Sequence, residues 1–173
     1  NMAKLLPKSY VVNNIITNGQ ECFIINGKKV NIKNTKYVGI EFLKRIKKDK
    51  FVAVVGGDHS CPLGLIKALD DTSKEDFGIL HVDAHHDLRE AYEGFTYSHA
   101  SIFYNVLNEC KNVSKLIQVG IRDYSKEEAQ RMINLGDKGD CLYDTAMQAQ
   151  IATGKSLEEV FTPYIEQLPK NVY

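Results

Sequence analysis

Two stretches, FVAVVGGDHS (residues 51–60) and FGILHVDAHHD (residues 77–87), share one layout: a short apolar run followed at once by acidic residues and histidines. FVAVV is too short for a helix and shows no polar alternation, which suits a strand buried on both faces of a parallel sheet. Behind GGDHS, Leu63, Ile66 and Leu69 recur at helical spacing, and Pro62 stands near the helix start, where a missing N–H matters least. The first unit therefore predicts strand, loop, helix. In the second unit FGILHVD predicts a strand, and Ser98 is placed to cap a helix with Ile102, Val106 and Cys110 on one face. KLIQVGI (residues 115–121) predicts a third strand, while Ser125 with Glu128 and Ser156 with Glu159 match capping boxes that open further helices. LPKNVY (residues 168–173) has the character of the entry to another strand. Strands separated by helices imply right-handed crossovers, so the expected fold is α/β, with a mostly parallel sheet whose ligands bind beyond the carboxyl ends of the strands.

Upstream of these units, Asn26-Gly27 lies between two β-prone runs in CFIINGKKVNI, a hairpin signal because both central positions of such a turn need positive φ. Val38, Phe42 and Ile46 recur every four residues among Lys44, Arg45, Lys47 and Lys48, which predicts an amphipathic helix with a solvated basic end. The chain has 173 residues, 43% of them apolar, enough for one domain with a sizeable core. Lys+Arg and Asp+Glu stand equal at 22 each, and no basic stripe with interleaved aromatics appears, so nothing points to nucleic acid or an anionic membrane. Cys22, Cys61, Cys110 and Cys141 are scattered without a CxxC pair, which suits a reducing compartment, with the cytoplasm as the expected location. No apolar run approaches the ~20 residues of a membrane span, and NMAKLLPKS lacks the apolar centre of a signal peptide.

Side chains two apart on an extended chain point the same way, about 6 to 7 Å from each other, so Asp83, His85 and Asp87 are expected to face one site. Parallel pairing would bring GGDHS to the same sheet edge. Carboxylates facing inward repel unless a cation lies between them, and His59 and His85 add neutral imidazole donors. A binuclear metal centre accounts for the set, and oxygen and nitrogen donors without thiolates favour an ion such as Mn²⁺ over a structural zinc. His81 and His86 are expected to serve structurally or behind the ligands, as is Asp58, which can orient His59 or bond its own turn. Cys61 is expected to be a small buried hydrophobe.

GGDHS, DAHHD at residues 83–87, YSHAS around His99 and GIRD at residues 120–123, in that order, resemble the ureohydrolases: arginase, agmatinase and formiminoglutamase. The run DLREAYEGFTYSHA looks most similar to agmatinases. The resemblance covers roughly residues 51–124 and implies an arginase-like three-layer sandwich. It also implies a two-manganese hydrolase that cleaves a guanidinium group to urea and an amine. By matching positions, His59, Asp83, His85 and Asp87 would be metal ligands, with at least one carboxylate bridging the ions, and Asp87 would also count as catalytic. Two cations lower the pKa of a bridging water enough to supply hydroxide to the guanidinium carbon. His99 matches the family histidine that relays protons and would protonate the leaving amine. Glu90 and Glu93 are candidates to meet the distal amine of agmatine, whereas Arg89 would suit a carboxylate or pair with one of those glutamates or with a neighbouring subunit. Guanidinobutyrate, arginine and formiminoglutamate stay open as substrates. Trimers or hexamers are implied by the resemblance alone.

The sequence departs from the family in lacking its later DxD strand and the glutamate beyond it; Asp137, Asp140 and Asp144 have other spacings. One ureohydrolase-like domain over residues 1–173, without the C-terminal metal-binding segment, is therefore expected, with weak metal binding, little hydrolysis on its own and an exposed apolar sheet edge. Two alternatives remain: a catalytically inactive ureohydrolase-like binding module, and a single-zinc deacetylase of similar architecture.

Overall fold

The computed structural model describes residues 13–17, 20–25, 28–31, 52–54 and 57–173. Strands β1 (Asn13–Thr17), β2 (Gln20–Ile25) and β3 (Lys28–Asn31) form an antiparallel sheet in that order. Ile25 pairs with Lys28, as a two-residue connection requires; Asn26 and Gly27 themselves lie outside the described residues. The helix expected over residues 38–46 also lies outside them.

From residue 63 the chain alternates helix and strand: α1 (Leu63–Thr72), β4 (Phe77–Val82), a 3₁₀ turn (His99–Ser101) running into α2 (Ile102–Glu109), β5 (Val113–Ile121), α3 (Lys126–Asn134), β6 (Gly139–Tyr143), α4 (Asp144–Ala152) and α5 (Leu157–Ile165). β4, β5 and β6 are parallel and adjacent in that order. Period-two alternation divides their side chains between two cores. Phe77, Ile79, Val113 and Leu116 pack with Leu63 and Ile66 of α1, Ile102, Phe103 and Val106 of α2, and Met132 of α3. Ile117, Val119 and Leu142 pack on the other face with Val160 of α5, and with Met147 and Ile151 of α4. The result is a sheet between two helical layers, the three-layer arrangement expected from the sequence.

Both capping boxes form: Ser125 accepts from the Glu128 amide and Ser156 from the Glu159 amide, each glutamate reaching back to the serine N–H. Ser98 does not cap. Its hydroxyl bonds Ser101 Oγ at 2.8 Å, and α2 begins only at Ile102, after the 3₁₀ turn. Instead, the Asp87 carbonyl accepts from Phe103 N at 3.1 Å, satisfying one of the free donors of the first turn.

Residues 52–54 are not in a strand, contrary to the reading of FVAVV. The edge of β4 away from β5 is taken by the end of the chain: Gly78 N donates to Asn171 O, Leu80 N to Tyr173 O and Tyr173 N to Gly78 O, each at 2.9 Å, with a parallel bridge between Gly78 and Val172. The edge of β4 away from β5 is thus covered at Gly78 and Leu80. Gly78 is needed there, because a Cβ would come within 2.7 Å of Pro169 Cδ.

Candidate metal centre

The site lies where β4 ends. Asp83 follows the strand directly, its amide still bonded to Val119 O of β5 at 3.1 Å, so its position is fixed by the sheet. Four residues on, Asp87 has φ 53°, a left-handed conformation that non-glycine residues rarely adopt. At Asp87, a residue with a short polar side chain, the main chain reverses so that the carbonyl meets α2 while the carboxylate reaches His59. His59 arrives in the loop that precedes α1, rather than at the end of a strand paired with β4. The geometry of that loop is held by Asp58, whose Oδ1 accepts from Ser60 N at 2.9 Å and from the Ser60 hydroxyl.

His59, His81, Asp83 and Asp87 each offer one atom to a cluster in which all four lie within 4.8 Å of one another. His59 Nδ1 stands 2.5 Å from Asp87 Oδ2 and 3.6 Å from Asp83 Oδ2. His81 Nε2 lies 3.6 Å from Asp83 Oδ2. His85 is outside this group: its Nδ1 is 3.3 Å from the other Asp83 oxygen, Oδ1, and its Nε2 is 3.7 Å from Asp123 Oδ2. Asp83 therefore turns one oxygen toward His59 and His81 and the other toward His85.

The electrostatics follow from these contacts. The hydrogen bond from His59 to Asp87 raises the imidazole pKa despite partial burial. Burial pushes His81 down to about 3, leaving it neutral. Burial alone would raise the Asp83 carboxyl, but the His85 amide and the neighbouring rings more than offset it and hold Asp83 below its ordinary value. Among the described residues, the groups paired with Asp83 and Asp87 are histidines, with no lysine or arginine between the two carboxylates. Two carboxylates and an imidazole converging without a fixed cation suit a metal ion with oxygen and nitrogen donors.

The remaining sequence candidates surround this cluster. His99 places Nδ1 3.8 Å from Asp58 Oδ2, and its ring meets Tyr92 edge-on at 5.3 Å. Glu90 is exposed, with Arg131 at 3.4 Å, and Glu93 sits at φ 50° in the turn beside Gly94. Arg89 pairs with neither; its Nε is 3.4 Å from Glu128 and its guanidinium lies over Tyr92. Two residues gain roles the sequence did not suggest. Glu128, legible only as part of a capping box, is buried and also accepts from Leu88 N at 3.2 Å, bracing the loop after Asp87. Gln118, on β5, is fully buried between His81 and His86.

A family model described as the arginase family matches residues 17–160. The chain belongs to the arginase family. Within it, an N(1)-aminopropylagmatine ureohydrolase of Thermus thermophilus is 42% identical over 87 residues, which is 50% of this chain and 28% of that protein. Mitochondrial arginase 1 of Oryza sativa subsp. indica is 43% identical over 74 residues, 43% of this chain and 22% of the relative. In structure, arginase from Bacillus cereus superposes with a TM-score of 0.64 at 19% identity, over 80% of this chain and 50% of that one, a likeness of fold. The matched stretches thus span between about a quarter and a half of these arginase-family relatives.

Proposed function

We propose that the protein hydrolyses a guanidino compound to urea and an amine, with agmatine as the substrate of first choice and two Mn²⁺ ions in the complete site. The observation that carries this reading is the convergence of His59, Asp83 and Asp87 at the end of β4, with no lysine or arginine between the carboxylates. Family membership supports the reaction class, and the aminopropylagmatine ureohydrolase relative supports a guanidino substrate without an α-carboxylate.

His59, Asp83, His85 and Asp87 would hold the ions, Asp83 turning one oxygen toward His59 and the other toward His85. When bound, the ions supply positive charge that acidifies water toward neutral pH. Asp58 keeps the His59 loop in its turn. His99, half exposed at the Asp58 side, is placed to give a proton to the departing amine. Exposed Glu93 and Glu90 are available to a cationic amine, and Arg89, engaged by Glu128 and Tyr92, is withdrawn from recognising a carboxylate.

Manganese-dependent urea release from agmatine, N(1)-aminopropylagmatine and arginine tests the proposal. The assay is run on residues 1–173 and on a form completed to the length of its relatives. Urea from an agmatine-type substrate in the completed form, lost on Asp83→Asn, is the expected result, with little from residues 1–173 alone. Two bound ions without urea from any of the three would redirect the search to another guanidino compound. Absence of bound metal in both forms would overturn the enzymatic reading in favour of a binding module.

A further inference from the structure

His81 stands in the cluster with a buried Nε2 that has no hydrogen-bond partner, so it looks at first like a further ligand. Its other nitrogen decides the matter. Gln118 Nε2 lies 2.8 Å from His81 Nδ1 and also 2.8 Å from the His86 carbonyl oxygen, while Gln118 Oε1 lies 2.6 Å from His86 Nδ1. A carbonyl oxygen only accepts, so the His86 carbonyl requires the amide NH₂ on its side and excludes the flipped amide. The NH₂ only donates, so His81 Nδ1 must accept and its single proton sits on Nε2. Gln118 Oε1 likewise accepts from His86 Nδ1–H, which leaves His86 Nε2 as an acceptor for the Tyr143 hydroxyl at 3.3 Å. Every proton in this chain is then assigned, and all three central residues are buried.

We propose that Gln118 is a positioning residue that locks His81 as the Nε2–H tautomer, so that His81 directs a proton rather than a lone pair at Asp83 Oδ2 and is not a metal ligand. The orphaned Nε2 is then a donor waiting 3.6 Å from a carboxylate oxygen, close enough to complete a hydrogen bond with a small rotation of Asp83. Asp83 Oδ1 already accepts from His85 N at 2.9 Å, and a completed bond from His81 would aim Oδ2 as well. The tautomer stands independently of the metal; the statement about ligation rests on the metal reading proposed above.

The test is long-range ¹H–¹⁵N correlation of the imidazole rings in uniformly ¹⁵N-labelled protein without metal, the chain's five histidines being assigned by single substitution. The expected pattern for His81 is a protonated Nε2 and an unprotonated Nδ1. In Gln118→Glu, whose carboxylate can only accept, the His81 proton is expected to move to Nδ1; in Gln118→Met, a mixture of tautomers is expected. The wild-type spectrum decides even if both variants fold poorly. A His81 protonated at Nδ1 in the wild type, or a pattern indifferent to Gln118, would overturn the proposal. Zinc, a diamagnetic probe, separates the two layers. His59 is expected to lose its Nδ1 proton while His81 keeps its Nε2 proton. Loss of the latter would overturn the proposal, and no response from any ring, in this chain and in a form completed to the length of its relatives, would sink the metal reading while leaving the tautomer lock supported.

Discussion

His59 and Asp87 meet at 2.5 Å across 28 positions of sequence, and the proton they share lies on the His59 atom that faces Asp83 as well. An ion entering the cluster must displace that proton. Because the contact raises the His59 pKa, metal uptake should release a proton and tighten as pH rises through and above the ordinary value of 6.5. Calorimetric titration of Mn²⁺ on both sides of that value checks it. Affinity independent of pH would mean that His59 does not exchange its proton for the ion.

His81 and His86 are held neutral, both pKa values being lowered chiefly by burial, His81 to about 3. The unfolded chain takes up protons at these rings below about pH 6.5 while the folded chain does not, so ν_U exceeds ν_N and stability falls as pH is lowered from there toward 3. Each such proton steepens the loss by about 1.4 kcal/mol per pH unit. Urea unfolding of the metal-free protein across this range should show it, and His81→Leu should flatten the slope.

Glu128→Ala removes a capping-box partner, worth about 1 kcal/mol, and leaves the buried Leu88 amide without its acceptor, a further ~1–3 kcal/mol. Glu159→Ala breaks the same motif on an exposed helix start and should cost less. Chemical denaturation of the pair tests the ranking. Equal losses would mean that Glu128 acts only as a cap.

Gly78→Ala drives a methyl group to within 2.7 Å of Pro169 Cδ and 2.8 Å of Leu168 Cδ2. Stability should fall by about 1–3 kcal/mol, as overpacking does. Hydrogen exchange at the Leu80 and Tyr173 amides should accelerate, since the 168–173 segment must lift from β4. Unchanged protection there would show that the segment yields without detaching.

What the sequence disclosed was local. Ser125 with Glu128 and Ser156 with Glu159 are complete within four residues, and the apolar runs of β4 and β5 have buried partners on both faces, so their reading needs no tertiary knowledge. β6, with its glycine, aspartate and a single fully buried residue, Leu142, carries too little apolar signal to stand out from a loop. α4 hides for a related reason, since none of its residues is fully buried. FVAVV reads as a strand because composition reports a preference for burial, whereas pairing is decided by tertiary context that composition does not carry, and residues 52–54 are not in a strand. The site divides likewise. Asp83 and Asp87 follow from their place after a strand, but the exchange of His81 for His85 beside His59 depends on ring rotations and on Gln118, 37 residues from His81.

Asp87 ties two things together with one residue: its carboxylate faces the candidate metal cluster, and its carbonyl receives the first-turn amide of α2. Whatever fastens that side chain also restrains the peptide that anchors the helix. By reciprocity of linked equilibria, occupancy of the centre and fraying of the α2 start must oppose each other by the same free energy. A loosened helix would loosen the ion, and an ion in place would act as a staple for the helix.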